Sequence, residues 1–407
     1  MKIKVLQATL SDDSGGLTSY ILQNYKHIDK KSFEFGFICS DDRIQKKLLK
    51  EKTFILGSPL RFIKYYKELK KVQKKENYDI IHFNMSYGNF IPVIIARLIG
   101  FKRIIVHAHS SGIREHNLSG LMKRCINFMG RFILPKIYSR FFACSDYAKN
   151  YFIGERNCDF FYARNAIEIQ RFRYDDSTRK IIRKELAIND KEVVIGHIGR
   201  FDFPKNQIFL LKLLKYLIAR NQNYKLVMVG DGKDINYIKK KTMEMGLKKN
   251  IIFLGNRNDV EKIYQSFDIF ILPSVYEGFP IVGVEAQAIG IPCLFSDNIT
   301  SEVKINDNVD FVDETQTTYL DGTARDNVTV ITSAINSTTV TSDGKVYVFT
   351  PLDILKERWY KRAESRGKTG VAADMQFRDV NKTAQMYIRP AMKIADVIIR
   401  SEEHTSE

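Results

Sequence analysis

The chain has 407 residues, enough for two domains with cores of their own, and carries a large net charge of +17. Apolar residues make up 44% and aromatic residues 12%, which excludes a disordered or fibrous chain. Cys39, Cys125, Cys144, Cys158 and Cys293 are scattered and form no C-x-x-C pair, which argues for reduced thiols and against a zinc site. The opening Met1-Lys2-Ile3-Lys4-Val5-Leu6 is too short and too interrupted for a signal peptide. The most apolar run, 91–99, is broken by Arg97 and is about half of a membrane span.

In the first half, 3–7, 34–40, 53–56, 79–83, 103–107 and 141–144 read as strands, with helical patterns between most of them. Such alternation predicts a mainly parallel sheet covered on both faces, with ligands beyond the carboxyl ends of the strands. Three polar features fall there. Ser14-Gly15-Gly16 lies between the first strand and a helix over 17–24, where backbone amides can approach a phosphate; a bare Gly-Gly is more often a structural turn. His107-Ala108-His109-Ser110 ends a strand, and period two puts both histidines on one face. A metal reading needs a third ligand that the sequence does not supply, and His107 also fits a hydrogen-bonded position at the sheet rim. Cys144-Ser145-Asp146 reads as a buried thiol followed by a helix cap.

The positive charge is concentrated between these strands. Residues 41–75 hold twelve Lys/Arg against four Asp/Glu, which suits a solvated helix face. Residues 97–140 hold nine against Glu115 alone, and 128–136 interleaves charge with Phe, Met, Ile and Leu. That second stretch reads as a surface for anionic lipid headgroups or a pyrophosphate-linked glycolipid. No nucleic-acid-binding module is present in the sequence, so nucleic acid ranks last as a partner.

Residues 157–176 look like a transition, with a strand over 157–163 and a charged stretch over 174–191. The second half repeats the alternation, with strands over 193–198, 225–229, 251–254, 269–272 and 292–295. After the first of these comes Gly199-Arg200-Phe201-Asp202-Phe203-Pro204-Lys205-Asn206, ahead of a helix over 207–220. Arg200 and Lys205 can converge on one anion; as two exposed cations near a helix start they would oppose the helix dipole. Gly230-Asp231-Gly232 is a turn after the next strand.

The strand 269–272 leads into Pro273-Ser274-Val275-Tyr276-Glu277-Gly278-Phe279-Pro280-Ile281-Val282-Gly283-Val284-Glu285. Gly278 is read as a backbone position closed to side chains. Pro280 is read as the first helical position, ahead of a helix over 283–289. The amides of Ile281, Val282 and Gly283 would then be unpaired and attract an anion. Glu277 and Glu285 bracket the turn. Donors for phosphate beside carboxylates for hydroxyls are the chemistry of a sugar nucleotide, whereas an ordinary strand-to-helix turn does not need two acids.

E-G-F-P-x-x-x-x-E, with Gly199-Arg200 to Lys205, resembles the retaining GT-B glycosyltransferases of family four. Ser14-Gly15-Gly16 resembles their N-terminal glycine loop, Gly230-Asp231-Gly232 their G-x-G turn near the nucleotide, and Arg164 to Phe172 their domain junction, with Glu168 where the family has Asp. The resemblance implies an α/β fold of two Rossmann-like, doubly wound parallel-sheet domains facing across a cleft. Residues 1–170 would form the acceptor-side domain and 171–312 the nucleotide-sugar domain. It implies a hexosyltransferase that moves a sugar with retention from a nucleotide sugar, a UDP-sugar, to a glycan or lipid-linked glycan. The setting would be capsule or exopolysaccharide synthesis, in the cytoplasm or on the inner face of the membrane. Glu277, His109, Arg200 and Lys205 would be catalytic. Gly15, Gly16, Arg200, Lys205, Gly278, Phe279, Pro280, Ile281, Val282 and Glu285 would bind the donor, with no metal ion and no cofactor. The rivals are a GT-B-fold sugar-nucleotide epimerase and a non-enzymatic basic membrane-binding protein.

The resemblance stops near 312. Residues 313–350 read as irregular β or loop, and 355–363 and 384–399 as helices. The last eight residues match the translation of a common sequencing adapter. Residues 313–407 are therefore expected to be chimeric, and the second domain to lack its closing helices.

Overall fold

Long apolar runs rather than strict alternation mark the strands, the pattern of parallel strands covered on both faces. The computed structural model describes residues 2–10, 16–40, 52–113, 117–156, 158–219, 223–306 and 308–312. The expectations for Gly15 and for 313–407 lie outside these residues. The chain divides into two units, one running to Ala166 and the next from Ile167, four residues before the boundary expected at 170/171.

The first unit holds β1 (Ile3–Leu10), α1 (Gly16–His27), β2 (Phe33–Cys39), β3 (Lys52–Ile55), α2 (Phe62–Glu76), β4 (Ile80–Met85), α3 (Ile91–Ile99), β5 (Arg103–Ala108), α4 (Leu118–Ile133), β6 (Arg140–Ala143), α5 (Asp146–Ile153) and β7 (Phe161–Tyr162). Its seven strands pair in parallel in the order β3-β2-β1-β4-β5-β6-β7. The strand expected over 157–163 shrinks to the two residues of β7, which pairs only with β6 at the sheet edge. Ser145 does cap α5, its Oγ accepting from the Ala148 amide at 3.2 Å.

The second unit holds α6 (Asp176–Glu185), β8 (Val193–Ile198), α7 (Gln207–Ile218), β9 (Tyr224–Val229), α8 (Ile235–Glu244), β10 (Ile251–Phe253), α9 (Val260–Ile263), β11 (Ile269–Leu272), α10 (Ile281–Ile289), β12 (Cys293–Ser296) and β13 (Val309–Val312). The order β10-β9-β8-β11-β12-β13 repeats the pattern of the first sheet, again in parallel. Each unit is thus a doubly wound Rossmann-like sheet. Phe209, Leu210, Leu213, Leu214 and Leu217 of α7 pack into the second core with Leu226, Met228 and Ile271.

The stretch 174–191 is not a charged connector. It folds into α6, whose Arg179 and Arg183, one turn apart, are buried against the start of β11. Arg179 donates to the carbonyls of Gln265 and Phe267 at 2.8 and 3.0 Å and to Asp268 Oδ1 at 2.5 Å. Arg183 donates to Asp268 Oδ2 at 3.2 Å and to the carbonyls of Ser266, Asn189 and Glu192. Asp268 also accepts the Val194 amide at 2.7 Å, so one carboxylate joins α6, β8 and β11.

Candidate active site

Strand order reverses at β8 and β11. The chain steps outward from β8 to β10, then returns to lay β11 on the other side of β8. Loops leaving neighbouring strands at such a point splay apart and leave a crevice for ligand. The Gly199–Asn206 loop leaves β8, and the Pro273–Pro280 loop leaves β11. The Val275 amide donates to the Pro204 carbonyl at 2.8 Å and ties them together. Lys205, on a short 3-10 turn, reaches Glu277 with Nζ 2.5 Å from Oε1, and each side chain is 17% exposed. The structure thus brings the expected cation and the expected acid into one pair. A carboxylate beside an anion-binding helix end is repelled by the anion; Lys205 offsets that charge.

The floor beneath Arg200 is main chain. A Cβ at Gly230, which sits at φ 128°, would run into the Gly199 carbonyl, and one at Gly232 into the Phe201 carbonyl. The two loops can meet backbone to backbone only because glycine stands at both places. Beside them His197 and Gln207, which drew no attention in the sequence, form a buried brace. His197 Nδ1 donates to the Ile271 carbonyl at 3.0 Å. Gln207 Nε2 donates to the Arg200 carbonyl at 2.9 Å and meets His197 Nε2 at 3.3 Å. Burial lowers the His197 pKa to about 4, so the brace stays neutral at physiological pH. Its only sequence signal was a histidine inside an apolar strand.

Three expectations about the turn are corrected. Gly278 does not take the left-handed backbone. Pro280 is the cap rather than the first helical residue, and α10 begins at Ile281. The Pro280 carbonyl accepts the Gly283 amide at 3.1 Å, so that amide is not unpaired. The Ile281 and Val282 amides, left without a partner among the described residues, remain as donors at the helix end. Phe279 and Pro280 are buried behind them.

Glu285, one turn into α10, is half-buried beside Tyr264. The Tyr264 hydroxyl lies 3.0 Å from Glu285 Oε2 and 2.9 Å from the Val282 carbonyl. Loss of water around the carboxyl raises its pKa to about 7; Tyr264 and Arg171 work against that rise. With one proton the hydroxyl can serve only one of its two acceptors, so a protonated Glu285 donating to Tyr264 satisfies both. Tyr264 was another residue the sequence did not single out.

His109 and Gly16 belong to the first unit. His107 and His109 do share a face, with ring centroids 3.8 Å apart, and His82 stacks on His107 at 5.5 Å. Tyr20 of α1, the helix that Gly16 starts, meets His109 edge-on at 4.8 Å. Asn84 Nδ2 donates to Gln7 Oε1 at 2.8 Å, so its Oδ1 accepts from His109 Nε2 at 2.9 Å. That places the ring proton on Nε2 and leaves Nδ1 an acceptor. Burial holds His109 and His82 near a pKa of about 3 and His107 well below the usual range, so all three are neutral. His107 is held by ring contacts with Tyr20 and Phe142.

Comparison with known proteins places both halves of the chain among glycosyltransferases. Residues 14–171 match the family described as Glycosyltransferase Family 4, and residues 178–319 match Glycosyl transferases group 1. The putative glycosyltransferase EpsF of Bacillus subtilis (strain 168) is 26% identical over 314 residues, 74% of this chain and 80% of that protein. The UDP-Gal:alpha-D-GlcNAc-diphosphoundecaprenol alpha-1,3-galactosyltransferase of Escherichia coli is 28% identical over 309 residues, 72% of this chain and 79% of that one. Among solved structures, Anabaena Alr3699/HepE in complex with UDP and glucose superposes with a TM-score of 0.66 at 16% identity, over 94% of this chain and 100% of that one. WaaG, a glycosyltransferase involved in lipopolysaccharide biosynthesis, gives 0.60 at 14% identity, over 95% and 99%. With both halves matched in order along two Rossmann-like units, the chain belongs to the group 1, family 4 glycosyltransferases.

Proposed function

We propose that this glycosyltransferase moves a hexose from a UDP-sugar to a saccharide or lipid-linked saccharide in envelope polysaccharide synthesis, with retention at the anomeric carbon. One observation carries the reading: Lys205 and Glu277, from loops on either side of the strand-order reversal, form an ion pair, and Glu277 stands four residues ahead of the helix start whose Ile281 and Val282 amides have no partner among the described residues. Arg200 and Lys205 neutralise the diphosphate as it leaves, the work a divalent ion does in other transferases. Amides from Phe279 to Val282 orient the sugar and phosphate, with Gly278 opening the turn. Glu277 accepts from sugar hydroxyls and Glu285 from the ribose. His109 is assigned the sugar-facing role implied by the resemblance, and it enters that role as a neutral ring; Gly16 starts its neighbouring helix, and Gly15 is assigned to the donor with it on the resemblance alone. The relative named for UDP-Gal and a diphosphoundecaprenol acceptor supports the donor and acceptor classes. Such an acceptor lies in a membrane, which sets the enzyme at the inner face of the cytoplasmic membrane.

UDP is the cheapest probe. At a hundred times its dissociation constant it is expected to stabilise the protein by about 2.7 kcal/mol, read as a shift in thermal unfolding. No shift with UDP at millimolar concentration would remove the donor assignment. Product from a radiolabelled UDP-sugar and a lipid-linked acceptor, with its anomeric configuration read by NMR, then tests transfer and retention.

Glu285 adds a pH dependence. The folded chain holds its proton more tightly than the unfolded one, so this group's contribution to stability declines as pH rises from 4.5 to about 7. Ribose hydroxyls need the carboxylate, so UDP affinity is expected to rise with pH below about 7, by up to about tenfold per unit. Titration calorimetry between pH 5.5 and 8 should show that rise in the wild type and a flatter profile in Glu285→Gln. The ionisation of UDP itself is common to both proteins. Parallel profiles would take Glu285 out of the ribose site.

A further inference from the structure

α4 is built inside out. Surface helices turn their apolar stripe to the core. Here the inward side carries Gly120, Asn127 and Gly130 with Ile126. Gly130 lies on the backbone of Gly88, where a Cβ would strike the Gly88 carbonyl. Asn127 accepts the Gly88 amide at 2.6 Å and donates to the Tyr151 carbonyl at 3.0 Å. Arg131 Nε donates to the same carbonyl at 3.2 Å. Close backbone contact and hydrogen bonds, rather than a hydrophobic seam, hold this helix down. The outward side carries the apolar residues: Leu118 is 82% exposed, Leu121 55%, Met122 43%, Phe128 60%, Met129 50% and Phe132 47%. With the exposed Cys125 between Met122 and Phe128, steps of three and four keep them on one stripe. An uninterrupted exposed stripe of this size marks an interaction surface.

The charge around the stripe selects its occupant. From 117 to 145 the sequence has Lys123, Arg124, Arg131, Lys136 and Arg140 and no Asp or Glu. Arg156 adds a further cation, its guanidinium 4.8 Å from the Phe132 ring centroid. A second copy of the chain, paired through this face about a two-fold axis, would set cations against the same cations. A helix of 16 residues is about 24 Å long, too short to span a bilayer but able to lie along its surface. We infer that the outward face of α4 docks the protein on an anionic lipid surface, with Leu121, Phe128, Met129 and Phe132 at the acyl boundary and the cations among the headgroups. α4 follows β5, the strand that ends beside His109, so docking sets that strand end close to the bilayer. The inference rests on the reading of a lipid-linked acceptor for its purpose, but not for its chemistry.

Sedimentation with sucrose-loaded vesicles, without nucleotide or acceptor, tests it. The full chain is expected to partition onto vesicles of phosphatidylglycerol and phosphatidylcholine about tenfold or more better than onto phosphatidylcholine alone, and to be released by 0.5 M salt, on the order of full screening. The double variant Phe128→Ser, Met129→Ser should lose about tenfold or more of that partitioning. Both side chains are exposed, so its melting temperature and its response to UDP should match those of the wild type. Equal binding to both vesicle types, or unchanged binding by the variant, overturns the proposal. So does a wild-type dimer in analytical ultracentrifugation that the variant dissolves while neither binds vesicles, which would assign the face to a second copy. Because the assay contains no sugar nucleotide, a failure of sugar transfer leaves its result standing.

Discussion

Lys205→Ala is expected to lower turnover of a UDP-sugar by about 10²–10³, the effect of deleting one preorganised charge that faces a developing anion. Two losses combine. The diphosphate loses a cation as its bond to the anomeric carbon breaks. Glu277, no longer offset by the Lys205 charge, also repels that diphosphate. KM for the donor should rise as well, because the ground state carries most of the same charge. Lys205→Arg keeps the charge but not the point geometry, and should recover part of the rate. Lys180→Ala is the control: its ion pair with Asp176 is largely exposed, and such pairs contribute about 0–1 kcal/mol. Initial rates with radiolabelled donor decide the matter; wild-type turnover in Lys205→Ala would end the mechanism.

Asp268→Ala should cost the second unit about 3–5 kcal/mol in urea unfolding, the range for removing one partner from a buried ion pair. This is a large share of the 5–15 kcal/mol by which a typical domain is stable. The variant leaves Arg179 and Arg183 buried with no carboxylate and the Val194 amide without its acceptor. Apolar replacement of all three charged residues is not expected to rescue it. The carbonyls of Gln265, Ser266, Phe267, Asn189 and Glu192 would then lose their guanidinium donors. A loss below about 1 kcal/mol would show that the surrounding carbonyls alone hold the two arginines.

The sequence made the sheets legible because parallel strands are written as local apolar runs. β8 and β11 fall where the runs at 193–198 and 269–272 place them. Arg200, Lys205 and Glu277 were legible as candidates because each stands in a loop just past such a run. The meeting of Lys205 with Glu277 follows from strand order, which no local pattern records. α6 was misread for a physical reason. Arg179 and Arg183 stand in what the sequence shows only as a charged stretch, and their partner Asp268 lies more than eighty residues further on. α10 starts at Ile281, one residue past the proline read as its first residue, because Pro280 supplies its carbonyl to the Gly283 and Val284 amides from the cap position. In α4 the residue types in the sequence already suggested a lipid-facing surface, but which side of the helix the core would claim depended on Gly88 and Tyr151, elements away.

The meeting of Gly230 with the Gly199 carbonyl, and of Gly232 with that of Phe201, bears on how such enzymes diversify. A wall lined by side chains can be retuned one substitution at a time; a wall of peptide groups offers nothing to exchange. Under the proposed donor site, changes of sugar preference in this chain are expected from the β11 side, among Val275, Tyr276, Glu277 and Phe279, while the glycine-to-carbonyl contacts between the β8 and β9 loops stay fixed.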